Sequence, residues 1–556
     1  MGRKLLIIFL ATAVIATYSF AGAVFASAEE IAIEPVQTEE EADVKTQMPG
    51  ESEEYQLTEP KTYVAKIGEQ KYQKLFDAIQ EAKDGEEIEL LASCQTDDSK
   101  RIAFDKNITI SGNHEITVNK GMDINDKKVV FKNCSVKVQV ESVEDFMTVF
   151  LSKGGALQLD DNAQFTIQGD GSYGMHGIYC SGNNTITLNN SKLVIQNMSE
   201  DALEWDDGAG FYSLICNDSE YLVKNCRSGI TGTFDATINN SKLSVLNCTG
   251  NGSNGSNFYI KNSIVDFSNN AGHGISASNL YVENSKLFAK DNGYNGIVGR
   301  NIKINSQSNI HVSGNTKSGS EGAFRVLGST GYCLIEKGAD VTIKDNYRSG
   351  IYIDNKKGNM IMNSGVVVNN GNQMAQLGGG LYNKGTFSMG NDVVIYNNHA
   401  EKAGDDIFNS GKITLIEVGS RGLILDDDSQ TISGWYYDGI KNSEVISGEA
   451  NTERWNVSAT TGDVLSPDYY EEYGVADGEE NIIALKAAHS YVTPTEPISQ
   501  ETEQTIKEVE KQPKTGDEAS MGPWLVVMAT AMAVGLGIVA RGRSLSKSLQ
   551  QKREEY

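Results

Sequence analysis

A phrase that recurs at a fixed interval constrains the fold of this 556-residue chain more than any other feature. Four related phrases each begin 22 positions after the one before: DATINNS at Asp235, NFYIKNS at Asn257, NLYVENS at Asn279 and NIKINS at Asn301. The serines that end the first three phrases keep the same interval. A fixed period of this size indicates structural repeats that stack on one another, not a compact domain.

Apolar and polar residues alternate within each repeat. In NLYVEN, Leu280 and Val282 share one side, whereas Tyr281 and Glu283 share the other. Alternation with a period of two predicts short β-strands. Asn, Gly and Ser separate the apolar runs and favour turns, because Asn and Gly accept positive φ angles. The pattern therefore predicts that one repeat forms a coil of three strands and three corners.

A single coil cannot bury its apolar side, but coils stacked at about 4.8 Å can pair their backbones in parallel sheets. Inward residues then form apolar columns, such as Leu243, Val265 and Leu287, and corner asparagines bond to one another along the axis. The sequence predicts an all-β fold, a right-handed parallel β-helix solenoid of about 22 residues per coil, over residues 95–430.

Both ends of such a solenoid need covering, because unpaired strand edges invite association. Leu75, Ile79 and Ala82 form an apolar helix stripe, followed by Gly85. We therefore expect an N-terminal cap over residues 61–94, made of a helix and a first strand. Beyond residue 430 the repeat ends, and residues 431–489 are rich in Trp and Tyr, which predicts a small β-rich C-terminal cap.

The repeated Asn-Ser and Gly-Ile phrases, as in AGHGISAS and GYNGIVGR, resemble the pectate-lyase-like superfamily, whose enzymes cleave polysaccharides. The resemblance implies catalytic candidates: residues 272–274 match a Gly-His-Gly motif of polygalacturonase-like members, and Arg300 with Lys303 approximates their Arg-x-Lys motif. Glycoside hydrolysis by the usual route needs two carboxyl groups. None lies one or two coils before His273, which argues against catalysis there.

Lyases of this superfamily need clustered aspartates for calcium beside a basic residue. Acidic clusters occur at residues 160–161, 206–207, 405–406 and 426–428, but none recurs at one coil position with a basic neighbour. The seven cysteines form no CxxC or Cys/His pattern, and Cys134, Cys226 and Cys248 read as buried thiols. We expect no metal and no cofactor; calcium is the alternative that a lyase would require.

The N-terminus has the pattern of an export signal. Arg3 and Lys4 precede an apolar run over residues 5–24, and Ala26-Ser27-Ala28 supplies the small residues that signal peptidase accepts. Residues 1–28 are therefore predicted to be a signal peptide cleaved after Ala28. The mature protein is expected outside the cytoplasm.

The C-terminus resembles the sorting signal of Gram-positive surface proteins. Residues 512–556 contain Gln512-Pro513-Lys514-Thr515-Gly516, an apolar stretch over 523–540 and a basic tail. The resemblance implies that a sortase cuts between Thr515 and Gly516 and joins Thr515 to peptidoglycan, so the chain meets the membrane only before processing. Gln512 replaces the usual Leu of LPXTG motifs, which leaves the sortase class open. An ordinary C-terminal membrane anchor is the alternative.

The formal net charge of -26 disfavours nucleic acid as a partner, since phosphates would be repelled. Residues 29–60 are acidic and poor in apolar side chains, which predicts a disordered leader. Residues 490–515 carry Pro, Glu, Gln and Thr and read as a stalk through the wall.

Tyr259 and Tyr281 occupy the same outward position on consecutive coils, and Lys303 follows them. Exposed aromatic rings suit sugar rings or partner side chains; the alternative is that the two rings only stack on each other. The sequence thus predicts a cell-wall-anchored adhesin that binds glycans or host or matrix proteins through a face of the β-helix. A surface-attached polysaccharide lyase or glycoside hydrolase is the alternative.

Overall fold

The computed structural model describes the following residues: 62–96, 100–140, 147–171, 174–206, 212–372, 374–416, 418, 421–426, 430–438 and 483–489. The predicted signal peptide, leader, stalk and sorting signal all lie outside these ranges, as does the apolar stretch over 523–540. Among the described residues, no helix combines the length and the apolar character needed to cross a membrane.

Strands of the coils fall in rotation on three parallel faces, here named A, B and C. Face A consists of β5 (Ile102–Phe104), β8 (Met122–Asn125), β11 (Met147–Ser152), β14 (His176–Ser181), β17 (Leu203–Trp205), β20 (Ile230–Thr231), β23 (Ser253–Asn254), the first parts of β26 (Ile275–Glu283) and β28 (Ile297–Ile304), β30 (Gly322–Val326), β33 (Ser349–Ile353), β35 (Leu381–Asn383) and β37 (Ile407–Asn409).

Face B follows face A in each coil. It consists of β3 (Glu87–Leu90), β6 (Ile108–Ser111), β9 (Lys128–Lys132), β12 (Ala156–Asp160), β15 (Thr185–Asn189), β18 (Ser213–Asn217), β21 (Asp235–Asn239), β24 (Ser256–Lys261), the second parts of β26 and β28, β31 (Tyr332–Ile335), the first parts of β34 (Asn359–Val368) and β36 (Thr386–Tyr396), and β38 (Lys412–Thr414).

Face C completes the coil. It consists of β4 (Cys94–Gln95), β7 (Glu115–Val118), β10 (Ser135–Gln139), β13 (Gln164–Gln168), β16 (Lys192–Gln196), β19 (Glu220–Lys224), β22 (Lys242–Leu246), β25 (Ile264–Ser268), β27 (Lys286–Lys290), β29 (Asn309–Ser313), β32 (Asp340–Lys344) and the second parts of β34 and β36. This arrangement confirms the predicted all-β, parallel β-helix fold.

The core lies inside the coils, where the alternation of the strands places apolar side chains. The predicted column of Leu243, Val265 and Leu287 is in register across β22, β25 and β27, and all three residues are fully buried. The cysteines predicted to point inward, Cys134, Cys226 and Cys248, are buried as free thiols. Burial of each large apolar side chain contributes on the order of 2 kcal/mol.

The interval of 22 positions is unbroken over four successive steps in the middle of the solenoid, and it also occurs at the first coil, where Glu87 pairs with Thr109. On face B, Ser213, Asp235, Asn257, Asn279 and Asn301 are register partners in turn. On either side the partners are further apart in sequence, since Thr185 pairs with Ser213 and Asn301 pairs with Tyr332. The added residues lie between the paired strands, as between β17 and β18, and the strands on either side keep their parallel register.

The corner between faces B and C explains the recurring Asn-Ser phrase. Asn240, with φ of 48°, adopts the left-handed conformation that Asn tolerates better than most side chains. The buried hydroxyl that follows, at Ser241, donates to the Asn239 carbonyl oxygen at 2.6 Å. The Ser241 backbone N–H donates to the Ser263 hydroxyl of the next coil at 3.0 Å. Each serine therefore satisfies a buried backbone group of its neighbour.

A ladder of fully bonded asparagines occupies the corner between faces C and A. Each side-chain amide donates to the Oδ1 atom of the next asparagine at 2.7 to 3.1 Å, in the order Asn270, Asn292, Asn315, Asn346, Asn370 and Asn398. Each also donates to a face C carbonyl oxygen, as Asn315 does to Ala289. The donors all point toward the C-terminal end, where Asp406 accepts from Asn398 at 2.8 Å and ends the ladder.

Antiparallel strands and a helix lie at the two ends of the parallel stacks. At the first coil, β1 (Ala65–Ile67) pairs antiparallel with β2 (Gln70–Tyr72) and with β3. Helix α1 (Leu75–Glu81) follows and buries Leu75, Ala78 and Ile79. At the last coil, β40 (Ile483–Ala488) pairs antiparallel with β37 and with β39 (Gly434–Tyr437). These strands occupy edges that would otherwise accept another chain.

The asparagine ladder makes a first testable prediction. Substituting Asn315→Ala removes the Oδ1 atom that accepts both N–H groups of Asn292, in a site with no exposed surface. We expect the free energy of unfolding to fall by about 3 kcal/mol, because buried donors lose their acceptor. Denaturant unfolding measures this. The control Asn279→Ala removes a partly exposed amide of face B, and an equal loss there would contradict the assignment.

The end of the ladder predicts a pH dependence. Burial raises the pKa of Asp406 from its ordinary 3.8 to about 7, although the Ala487 N–H and both Asn398 N–H groups donate to its carboxylate. The stability contribution of the protonated carboxyl is complete below the unfolded pKa and is lost as pH rises through the folded pKa.

Relative to an Asp406→Asn variant, the native chain is expected to gain up to about 4 kcal/mol in free energy of unfolding on acidification from about pH 7 to about pH 4. Denaturant titrations of both proteins across this range measure the difference. Parallel pH profiles would contradict it.

Candidate functional site

A polar groove of about 580 Å³ lies on face A, at the coils of β17, β20 and β23. Its lining combines carboxylates, a guanidinium group, hydroxyls, amides and bare glycine backbone: Asp201, Glu204, Trp205, Asp206, Arg227, Ser228, Thr231, Gly232, Thr233, Gly250, Asn251, Asn254 and Gly255. Here the register partners Glu204 and Thr231 are 27 positions apart instead of 22. The groove therefore forms where the coil departs from the regular period.

Strand alternation places the central side chains of the groove. Glu204 points outward because its neighbours Leu203 and Trp205 are buried in the core. Its register partner on the next coil is Thr231, and Thr231 in turn pairs with Asn254. These three outward residues form a column along the helix axis. Gly232 lies close against the preceding coil, where a Cβ atom would overlap the Trp205 carbonyl oxygen, and its φ of 100° favours glycine.

A buried ion-pair network forms one wall of the groove. Asp201 is only 4% exposed, and its Oδ1 atom accepts from Arg227 Nη2 at 2.9 Å. Thr231 Oγ1 donates to Asp201 Oδ2 at 2.7 Å, and Arg227 Nε lies 2.8 Å from Glu200 Oε2. A buried carboxylate requires such partners. Arg227 is consequently engaged by two carboxylates, and Asp201 is held in place.

Glu204 and His176 form a second polar pair beside this network. His176 Nδ1 lies 2.8 Å from Glu204 Oε2, and within the described part of the chain neither atom has another hydrogen-bond partner. Burial raises the pKa of Glu204, with a further rise from the Asp201 charge, and burial lowers the pKa of His176. Each shift acts against the charged form of its own group, and the 2.8 Å separation fits one proton between the two atoms, as when Nδ1–H of a neutral imidazole donates to the carboxylate.

Two partly exposed aromatic rings continue the outward column of face A. Phe150 and Tyr179 are register partners with ring centroids 6.1 Å apart, and Tyr179 pairs in turn with Glu204. The edge of His176 packs against Tyr179 at 5.7 Å. Face A therefore presents an aromatic segment directly before the carboxylate segment.

The predicted tyrosine column is present on face B. Tyr259 and Tyr281 are 40% and 38% exposed and stack with centroids 5.4 Å apart and planes 11° apart. Lys303 is the register partner of Tyr281, and its Nζ atom lies 3.4 Å from Glu336 Oε1. Because each ring covers a face of the other, the aromatic surface that a sugar ring would need is partly occupied.

The catalytic candidates that the resemblance implied lie on different stretches of the coil. His273 precedes β26 at the corner before face A, where its backbone N–H donates to Asn251 Oδ1 at 2.9 Å. Burial lowers its pKa, and the nearby Arg325 charge lowers it further. Arg300 is exposed at the corner between the two parts of β28, and Lys303 lies in face B.

The fixed interval could not reveal the groove. Glu204, Thr231 and Asn254 are register partners, yet 27 and then 23 positions separate them in the sequence. Only local signals were present, namely the acidic pair at 206–207 and the His-Gly-Ile phrase at His176. Within the described part of the chain, no group of three or more His, Cys, Asp or Glu residues is arranged to hold a metal ion.

The ion-pair network predicts a loss of stability on removal of its cation. Substituting Arg227→Met leaves the buried Asp201 carboxylate without its guanidinium partner, so the free energy of unfolding is expected to fall by about 2 kcal/mol, given that Arg227 is half exposed. The control Lys261→Met breaks an exposed pair with Glu283, for which we expect less than about 1 kcal/mol. Equal losses in denaturant unfolding would refute the role of Asp201 burial.

Comparisons with family models, with curated proteins and with solved structures gave no match to this chain.

Proposed function

We propose that this chain is a cell-wall-anchored extracellular surface protein that binds glycans through the groove of face A. The observation that carries the proposal is the lining of that groove, where carboxylates, hydroxyls and amides converge on one open surface. Sugars present several hydroxyl groups at once, and a site that places donors and acceptors opposite such groups binds them selectively. Ligand sites are usually concave and largely preformed, as this one is.

Rigid backbone supports the binding role. The groove residues stand on or beside strands paired on both sides, as β20 pairs with β17 and β23. Side chains fixed in this way lose little freedom when a ligand arrives, so less of the interaction energy offsets ordering. The column of Glu204, Thr231 and Asn254 repeats contacts at about the 4.8 Å coil spacing, which suits a linear ligand lying along the axis.

The cellular location rests on the sequence. The export signal over residues 1–28 and the motif Gln512-Pro513-Lys514-Thr515-Gly516 support secretion and sortase-catalysed attachment to peptidoglycan of a Gram-positive cell. Both lie outside the described residues. An adhesin attached to the cell wall meets glycans of a host or of its surroundings. The exposed Tyr259 and Tyr281 on face B form a second surface, which could bind a host or matrix protein.

A specific observation also favours a second candidate, a glycoside hydrolase. Glu204 has a raised pKa and lies in a groove with Asp201 and Asp206, and the usual mechanism needs a protonated carboxylic acid together with a second carboxylate. A lyase is less favoured, because Arg227, the cation among the lining residues, is engaged by Asp201 and Glu200 and is not free to act as a base.

A glycan array probed with the purified chain tests the proposal. The double variant Asp206→Ala, Asn254→Ala removes two groove side chains and is expected to weaken binding by at least about tenfold, because each lost hydrogen bond costs about 1 kcal/mol or more. The control double variant Tyr259→Ala, Tyr281→Ala should bind as the parent does.

If instead the Tyr259→Ala, Tyr281→Ala variant lost binding and the groove variant kept it, the site would lie on face B. If the parent bound no glycan on the array, the proposal would be wrong. Release of sugar products that Glu204→Gln abolishes would establish the hydrolase instead.

A further inference from the structure

We infer that the groove of face A selects glycans that carry protonated amines and rejects glycans that carry carboxylates or sulfates. This inference rests on the proposed function and names the ligand class of the same site. It requires two features of the site. The first is an excess of negative charge that no cationic side chain compensates. The second is an aromatic surface, which attracts a cation through the face of its ring.

The charges of the groove provide the first feature. The Arg227 guanidinium is already compensated by Asp201 and Glu200 at 2.9 and 2.8 Å. Glu204 and Asp206 are further carboxylates of the lining, and no Lys or Arg among the described residues forms an ion pair with either of them. An anionic sugar entering the groove meets these two groups first and is repelled, and the net charge of -26 on the whole chain adds to the repulsion. An ammonium group is attracted by the same field.

The aromatic pair supplies the second feature, independently of the carboxylates. Phe150 and Tyr179 stand in the same outward column as Glu204, and Tyr179 is its register partner one coil earlier. The face of an aromatic ring attracts an ammonium group, and combinations of aromatic rings with carboxylates recognise such cations. An amine on one sugar residue can therefore lie over the rings while an amine further along the chain meets Glu204.

The remaining lining residues favour a sugar over a basic peptide. Thr231, Thr233 and Asn254 present neutral hydroxyl and amide groups along the groove. Such groups pair with the hydroxyls of a sugar, which both donate and accept, whereas a lysine side chain offers donors only at its tip. The groove thus combines cation recognition with hydroxyl recognition on neighbouring coils.

Isothermal titration of the purified full chain with matched oligosaccharides tests the inference. The probes are glucosamine oligomers, N-acetylglucosamine oligomers of the same length and galacturonate oligomers, at a pH where the amines are protonated. We expect the glucosamine oligomer to bind at least about tenfold more tightly than the acetylated one, since its ammonium group makes a charge-assisted hydrogen bond that an acetamide cannot make. Galacturonate should not bind, and added salt should weaken glucosamine binding.

The double variant Glu204→Gln, Asp206→Asn removes the two charges at nearly constant shape and should abolish the preference for the amine. The control Asp235→Asn, Glu283→Gln removes two exposed carboxylates from face B and should preserve it. Circular dichroism verifies that both variants fold.

Equal binding of acetylated and free-amine oligomers in the groove would overturn this inference while leaving glycan binding intact. If no oligosaccharide bound at all, both this inference and the proposed glycan-binding function would be wrong. Tighter binding of an oligolysine peptide than of the glucosamine oligomer would replace the sugar with a basic protein segment and would also overturn it.

Discussion

Hydrogen bonding between stacked coils is the interaction on which the rest of the structure depends. A strand of one coil has unpaired backbone groups on both edges, and the next coil satisfies them in parallel register, as β18, β21 and β24 do on face B. Every inward column and every corner ladder follows from that register. A shift of one residue would turn the apolar side of a strand to solvent, so the alternation of the sequence and the pairing of the backbone enforce each other.

The corners carry the polar part of this arrangement. Serine hydroxyls such as that of Ser263 accept backbone N–H groups between faces B and C, and the asparagine ladder satisfies backbone carbonyls between faces C and A. The ladder is directional because each amide donates forward along the axis. It ends on Asp406, whose two carboxyl oxygens accept from the Asn398 amide and from the Ala487 N–H of β40. One acidic residue thereby joins the repeat to its terminal strand.

A scaffold held in this way leaves the outward positions free to vary. Along face A, the same column carries the rings of Phe150 and Tyr179 and then Glu204, Thr231 and Asn254, while the parallel register continues from coil to coil. The inward neighbours Leu203 and Trp205 are buried and fix the direction of Glu204. Binding chemistry can consequently be placed on such a solenoid one coil at a time, at a spacing set by the backbone.

The sequence by itself determined the repeat, the strand alternation, the inward columns and the turn chemistry, because these depend on residues close together in the chain. The burial of Leu243 and Val265 in the core and the exposure of Tyr259 and Tyr281 both followed from a constant interval of 22. Only the tertiary structure decided which residues meet in the groove. Corner insertions change the length of a coil without changing its register, so Glu204 and Thr231 become neighbours through backbone pairing that no fixed sequence interval encodes.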